Sequence, residues 1–85
     1  MGLTRITPPS ASGPGWYLTR YGALAILRLR SYSGGSTIAL PTEFTPAADC
    51  TYRQPYGDVN IRTTGNVTLP EVTGTIWDTY IFPVS

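Results

Sequence analysis

The sequence predicts an all-β protein: a small antiparallel β-sandwich or jelly-roll-like barrel of about six to eight strands. Three observations favour this fold class. The 85 residues include 13 threonines and six tyrosines, and β-branched and aromatic residues favour strands. Glycine, proline and asparagine divide the chain into short runs, as expected for strands joined by tight turns. No stretch has the helical spacing of apolar residues, so we expect no helix longer than about two turns.

The first half of the chain contains three predicted strands. Residues 16–21 form the first strand, which ends at Gly22, and residues 23–32 form the longest one. A glycine-rich loop at residues 33–36 separates it from a short strand over residues 37–40. Glycine is expected at these boundaries because it adopts turn conformations that other residues avoid.

The second half begins with an irregular stretch, residues 41–46, that has a proline at each end. Beyond it, the alternation of apolar and polar residues is clearest where Val59 and Ile61 share one face. The pair Gly65-Asn66 predicts a tight hairpin turn. The predicted strands of this half are residues 49–54, 58–63, 67–69 and 73–84.

The longest predicted strand departs from simple alternation. One face carries Leu24 and Ile26, and the other carries Ala25, Leu27 and Leu29. A β-bulge between Ile26 and Leu27 would restore a single apolar face. Coverage of both faces, by a sheet partner and by a second subunit, would also explain the pattern. Both interpretations stay open at this point.

Residues 1–15 differ in composition from the rest and contain three prolines and three glycines. This segment has no periodicity, so it is predicted to be an extended N-terminal arm ahead of a domain formed by residues 16–85. Two interpretations are open for the arm: a flexible linker, or a segment that orders against a neighbouring subunit.

Charge and residue types exclude several classes of function. The net charge is +1, so the broad positive field of a protein that binds nucleic acid through phosphates is absent. There is no histidine and one cysteine, Cys50, which excludes a His-based triad, an intrachain disulfide and a Cys-rich zinc site. No cofactor or metal is predicted. No run approaches about 18 apolar residues and no signal peptide is seen, so no membrane partner is expected and synthesis is expected in a cytoplasm.

The five carboxylates leave one enzymatic alternative. A glycosidase needs two carboxylates that face each other across a cleft, roughly 5–10 Å apart. None of the five lies in a recognisable motif, so solvated surface carboxylates are the preferred interpretation, and a small polysaccharide hydrolase is the rival. The carboxylates are Glu43, Asp49, Asp58, Glu71 and Asp78.

A polar and aromatic cluster is the candidate ligand-binding site. Tyrosine rings pack on the C–H groups of sugars while neighbouring polar side chains bond the hydroxyls. The same group would suit a protein interface, or would simply cover the core. Its members are Tyr52, Arg53, Gln54, Tyr56 and Asp58. The other aromatics, Trp16, Tyr17, Trp77, Tyr80 and Phe82, lie in predicted strands and are interpreted as core or subunit-interface residues.

The order of features along the chain carries a resemblance to a known family. Residues 38–46 (IALPTEFTP) place a Leu-Pro pair, a two-residue step, an aromatic and a second proline after a long strand. A strand–turn–strand over residues 59–69 and an aromatic-rich final strand over residues 76–82 follow. In this order, residues 17–84 resemble the small C-terminal head domains of tail-fibre, baseplate and minor tail proteins of tailed phages.

The resemblance implies a function and an assembly. Such heads are commonly homotrimeric β-sandwiches that bind host-surface glycans or act as structural tips. Domains this small gain little net stability from their own core, so association is expected on physical grounds as well. We therefore expect a non-enzymatic, tail-associated virion protein, a homotrimer, with a host-surface glycan as a candidate ligand. The usual stalk is missing, so residues 1–15 are expected to dock on a neighbouring virion protein, and a trimeric capsid-decoration protein is the alternative.

Overall fold

The protein is an all-β sandwich of two four-stranded antiparallel sheets, which confirms the predicted fold class. A computed structural model describes residues 9–85. The first sheet has the strand order β1-β2-β3-β8 and the second the order β4-β7-β6-β5. The strands are β1 (Ser10–Gly13), β2 (Trp16–Tyr21), β3 (Leu24–Gly34), β4 (Thr37–Ala39), β5 (Cys50–Gln54), β6 (Gly57–Arg62), β7 (Asn66–Thr68) and β8 (Glu71–Pro83).

Strand β1 lies inside the segment for which the sequence predicts an extended arm. Ser10–Gly13 pairs with β2 as an edge strand of the first sheet. Pro14 and Gly15 form the connecting turn, and Gly15 has a φ of +77°, the residue types and dihedral that a type II turn requires. Residues 10–13 therefore belong to the sandwich rather than to an arm, whereas residues 1–8 of the predicted arm lie outside the described residues.

Strand β3 alternates regularly where the sequence left two explanations open. Ala25, Leu27 and Leu29 are buried, and the pairing of β3 with β2 and β8 is continuous from Leu24 to Leu29. Of the two interpretations left open, the one with a bulge near residues 26 and 27 is therefore wrong. The register shifts later, after Leu29, where Arg30 and Ser31 stand opposite the single residue Trp77.

The core lies between the two sheets and takes its side chains from the inward positions of both. Its buried residues are Leu18, Ala25, Leu27, Leu29, Tyr32, Ile38, Phe44, Val59, Ile61, Val67, Leu69, Ile76, Tyr80, Phe82 and Val84. The single helical element of residues 9–85 is a 3₁₀ turn, Thr42–Phe44, which inserts Phe44 fully into this core. Pro46 is fully buried and pairs with Val84, so the Leu-Pro…Phe…Pro segment covers one end of the sandwich.

Arg20 holds the same end together. Its guanidinium donates hydrogen bonds to three backbone carbonyl oxygens: that of Gly22 at 2.8 Å, of Glu43 at 2.6 Å and of Ser85 at 3.4 Å. Hydrogen bonds from a charged donor are stronger than neutral ones. This one side chain therefore links the β2–β3 turn, the 3₁₀ turn and the end of the chain. No helix in residues 9–85 is long and apolar enough to cross a membrane.

Candidate functional site

The five residues of the predicted site point to two different sides of the second sheet. Tyr52 and Gln54 alternate with Arg53 along β5, so both are half-buried while Arg53 is exposed. Tyr56 follows in the β5–β6 turn and is also half-buried. Asp58 is the cross-strand partner of Arg53 and is exposed beside it. The structure therefore separates the set into three inward side chains and one outward pair.

The inward tyrosines close the side of the sandwich where β5 meets β8. The Tyr52 ring packs against Tyr80, with centroids 5.1 Å apart and planes at 57°, a tilted arrangement typical of aromatic pairs. The Tyr52 hydroxyl donates a 2.5 Å hydrogen bond to the carbonyl oxygen of Ile81. Since β8 is an edge strand, this bond satisfies a backbone acceptor that would otherwise be unpaired.

The hydroxyl of Tyr56 belongs to a small polar network at the same edge. It donates to the Asp78 carboxylate and lies 2.8 Å from the Tyr80 hydroxyl. The Tyr80 hydroxyl donates to the same Asp78 oxygen at 3.3 Å. These tyrosine hydroxyls are thus occupied by partners within the chain, and the network joins the β5–β6 turn to β8.

Burial and this network shift the ionisation of the tyrosines. Burial raises the pKa of Tyr56 well above its usual range, and the hydrogen bond to Asp78 adds to the shift. Burial is also the main reason that the pKa values of Tyr52 and Tyr80 are raised. All three hydroxyls therefore stay neutral well into alkaline solution, and they stabilise the fold as hydrogen-bond donors.

The outward pair lies on a polar surface. Arg53 and Asp58 face each other across the β5–β6 ladder, and Thr51 donates a 2.9 Å hydrogen bond to Asn60 on the same side. Opposite charges in a directly facing pair attract each other, although exposure to water keeps the contribution small. The outer side of the second sheet is thus hydrophilic along β5 and β6.

The outer side of the first sheet has the opposite character. The outward positions of β2, β3 and β8 carry large apolar side chains in adjacent rows, because Tyr21 pairs with Leu24 and Ile26 pairs with Ile81. We call this surface the apolar face and define it by its five most exposed large hydrophobic residues. They are Tyr17 (50% exposed), Tyr21 (54%), Leu24 (49%), Trp77 (61%) and Ile81 (54%).

The apolar face is comparable in area to the largest apolar patch of a typical monomeric protein. A large side chain has about 150–250 Å² of surface, so five at half exposure present on the order of 500 Å². Apolar patches of roughly 300–600 Å² are the largest on typical monomers and often serve an interaction. Half-buried Ile26 and exposed Pro83 extend the apolar face between and beyond these residues.

The remaining candidate groups are held in structural contacts. Asp49 accepts a 2.8 Å hydrogen bond from the backbone N–H of Thr63, which holds the pKa of its carboxyl below the usual value. Asp78 belongs to the tyrosine network, and Cys50 is a free, half-buried thiol. Within residues 9–85 no group of three or more cysteine, aspartate and glutamate side chains could hold a metal ion.

The sequence did not predict which aromatic residues of the strands are buried and which are exposed. Tyr17, Trp77, Tyr80 and Phe82 were interpreted alike as core or interface residues, and the structure separates them: Tyr80 and Phe82 are buried, whereas Tyr17 and Trp77 are exposed. The signal that could have separated them is period-2 alternation along β8, where even-numbered residues from 76 to 84 point inward.

Comparison with known proteins adds no family. No protein-family model, no curated protein and no solved structure matches this chain. The resemblance to phage head domains therefore stays a prediction.

Proposed function

We propose that this chain is a non-enzymatic structural protein of a tailed-phage virion, associated with the tail, that assembles as a homotrimer through its apolar face. A host-surface glycan is its candidate ligand. The apolar face on the first sheet is the observation that supports assembly of several copies of the chain. The virion role and the number of three subunits rest on the resemblance of residues 17–84 to the C-terminal head domains of phage tail proteins.

The composition of the apolar face favours another copy of the chain as its occupant. Two charged residues lie on or beside this face, Arg28 in the row of Tyr17 and Arg30 opposite Trp77, and Thr19 and Thr79 are the polar ones. Interface cores are likewise depleted in charge and enriched in aromatic residues. A standard interface buries about 800 Å² on each partner, and the five residues of the apolar face would supply on the order of 500 Å² of it.

Stability gives a second reason for self-association. An 85-residue sandwich has a small core, and Cys50 leaves it without an intrachain disulfide. Chains of this size commonly depend on disulfides, metals or oligomerisation for part of their stability. Burial of the apolar face removes tyrosine, tryptophan, leucine and isoleucine surface from water and so stabilises the assembled state.

The non-enzymatic part is supported by where the polar groups are engaged. Asp78 and Asp49 accept hydrogen bonds from neighbouring groups, and Asp58 stands beside Arg53. These contacts account for three of the five carboxylates of the chain. Release of reducing sugars from host cell-wall glycans by the purified protein, abolished by a single Asp→Asn or Glu→Gln change, would contradict the proposal.

Immunogold electron microscopy of purified virions tests the virion role. Antibody raised against the purified protein is expected to label the tail or its tip. Labelling of the capsid alone would support the decoration alternative instead, and absence of label from virions that propagate with an intact copy of this sequence would overturn the virion role. A variant that lacks residues 1–8 keeps β1 and tests whether that segment docks the protein on its neighbour.

A further inference from the structure

An open cleft lies at the side of the sandwich opposite the tyrosine network. It has a volume of about 440 Å³ and forms between the β1–β2 turn, the end of β3 and the edge strand β4. Small-molecule sites in proteins have volumes of roughly 300–1,000 Å³. The cleft is therefore large enough to hold a small ligand, and nothing in the preceding sections assigns it a role.

Trp16 forms the aromatic wall of the cleft, and the backbone is shaped to hold its ring there. A Cβ atom added to Gly13 would lie 2.4–2.7 Å from three atoms of the Trp16 indole. Gly13 is thus needed for the ring to pack against β1 in this position. The indole is half-buried, so it is fixed on one side and lines the cleft on the other.

The rest of the cleft is lined by four residues that carry hydroxyl groups and by three apolar residues, Pro14, Ile38 and Ala39. The ring of Tyr32 is buried in the core, but its hydroxyl reaches the cleft and is hydrogen-bonded to the hydroxyl of Ser36. Ser33 and Thr37 add two exposed hydroxyls. Among residues 9–85, none of those that line the cleft is charged.

We propose that this cleft binds a neutral saccharide. The exposed side of the Trp16 indole offers a flat apolar surface for the C–H groups of a sugar ring. The Tyr32 and Ser36 hydroxyls bond each other, so the pair keeps one O–H to donate and lone pairs to accept, and the Thr37 hydroxyl can donate and accept, as sugar hydroxyls require. The absence of a lining cation disfavours acidic sugars, because a bound carboxylate would be left without a partner.

A proline-rich peptide is the main competing ligand, and the cleft suits it less well. Grooves that recognise polyproline helices are lined by several aromatic rings. Here the cleft presents one aromatic face, Trp16, since the Tyr32 ring is in the core. The hydroxyls outnumber the aromatic surfaces, which favours a polyhydroxylated ligand.

The biological meaning of this site rests on the proposed function, in which a host-surface glycan is the ligand. The site itself shares no residue with the apolar face, because the residues that line the cleft are all different from the five that define that face. Saccharide binding and trimer formation can therefore fail independently, and each failure is visible in a separate measurement.

Fluorescence titration with neutral oligosaccharides tests the proposal. Maltotriose, cellotriose and triacetylchitotriose are added at millimolar concentration to the Trp77→Phe variant, in which Trp16 is the only tryptophan. At least one of the three is expected to shift or quench the Trp16 emission with saturation. A proline-rich peptide and an oligosialic acid serve as competing probes.

Matched variants locate the binding. Thr37→Val and Ser36→Ala each remove one cleft hydroxyl and are expected to weaken binding about threefold to tenfold, the usual effect of one lost hydrogen bond. Thr68→Val is the control, because Thr68 is the cross-strand partner of Thr37 but does not line the cleft. Gly13→Ala is expected to displace the indole and abolish the fluorescence response.

Four results would overturn the proposal. They are no saturable response to any of the three neutral oligosaccharides, tighter binding of oligosialic acid, binding of the peptide alone, and equal weakening by Thr37→Val and Thr68→Val. Circular dichroism of each variant shows whether the sandwich is intact. If Gly13→Ala unfolds the protein, the comparison of Thr37→Val with Thr68→Val still decides the question.

Discussion

Replacement of two residues of the apolar face is expected to dissociate the assembly. Leu24 and Ile81 lie on neighbouring strands of the first sheet, and both point outward. The variant Leu24→Thr/Ile81→Thr removes apolar surface and keeps a strand-compatible residue at each position, as Thr19 and Thr79 already do on the same face.

The expected magnitude follows from the exposure of the two side chains. Leu24 is 49% exposed and Ile81 is 54% exposed. Full burial of such a side chain is worth about 1.5–3 kcal/mol, so covering the exposed half contributes about 1 kcal/mol for each. Both residues recur on three subunits, which gives about 6 kcal/mol for the trimer and a dissociation constant about 10⁴-fold larger. Because this constant has units of concentration squared, the concentration of half-assembly rises about 100-fold.

Light scattering over a dilution series measures that concentration. The control is Arg53→Thr/Asp58→Thr, which makes two changes on the outer side of the second sheet and leaves the net charge at +1. This control is expected to assemble like the wild type. Equal assembly of the Leu24→Thr/Ile81→Thr variant and the wild type, with both folded by circular dichroism, would refute the role of the apolar face.

Three further predictions concern other parts of the molecule. Arg20→Lys loses the guanidinium fork that donates to three carbonyl oxygens and is expected to lower the free energy of unfolding by about 1–2 kcal/mol. Each kcal/mol lowers Tm by roughly 4–8 °C, whereas the control Arg53→Lys is expected to change Tm little. An equal Tm in both would contradict the contacts of Arg20. Burial raises the pKa of the Tyr56 hydroxyl above the ordinary value of 10.0. The neutral hydroxyl therefore stabilises the folded state fully below about pH 10, and this stabilisation falls at higher pH by at most about 1.4 kcal/mol per pH unit. Between about pH 9 and pH 11 the fall in Tm is therefore expected to be smaller in Tyr56→Phe than in the wild type or in Tyr21→Phe. An equal fall in all three proteins would contradict the stabilising role of the Tyr56 hydroxyl. In a Trp16→Phe background, Trp77 emission is expected to shift to longer wavelength on dilution, and a constant wavelength would count against burial of Trp77 between subunits.

The strands were largely predictable because the turns that bound them have residue-specific chemistry. The first predicted strand matches β2 at both ends, since Gly22 has a positive φ at the turn that follows. Strand β1 was missed because its serines, alanine and glycine carry no hydrophobic pattern. Its pairing depends on the Pro14-Gly15 turn, a signal that a search for type II turns could have found.

The candidate sites were less predictable because they depend on which face a strand turns inward. The cluster at residues 52–58 looked continuous in sequence, but alternation along β5 separates Tyr52 from Arg53. The double-sided apolar pattern of β3 left a bulge or coverage of both faces open, and the structure excludes the bulge and shows Leu24 exposed on the outer face. The cleft joins Trp16, Tyr32 and Thr37, which only the packing of the two sheets brings together.

The mass of the protein in solution tests the central claim most directly, because assembly through the apolar face requires more than one copy of the chain. Light scattering of the purified wild-type protein at micromolar concentration is expected to give three times the chain mass of 9.2 kDa. A mass of 9.2 kDa at every concentration tested would contradict the account.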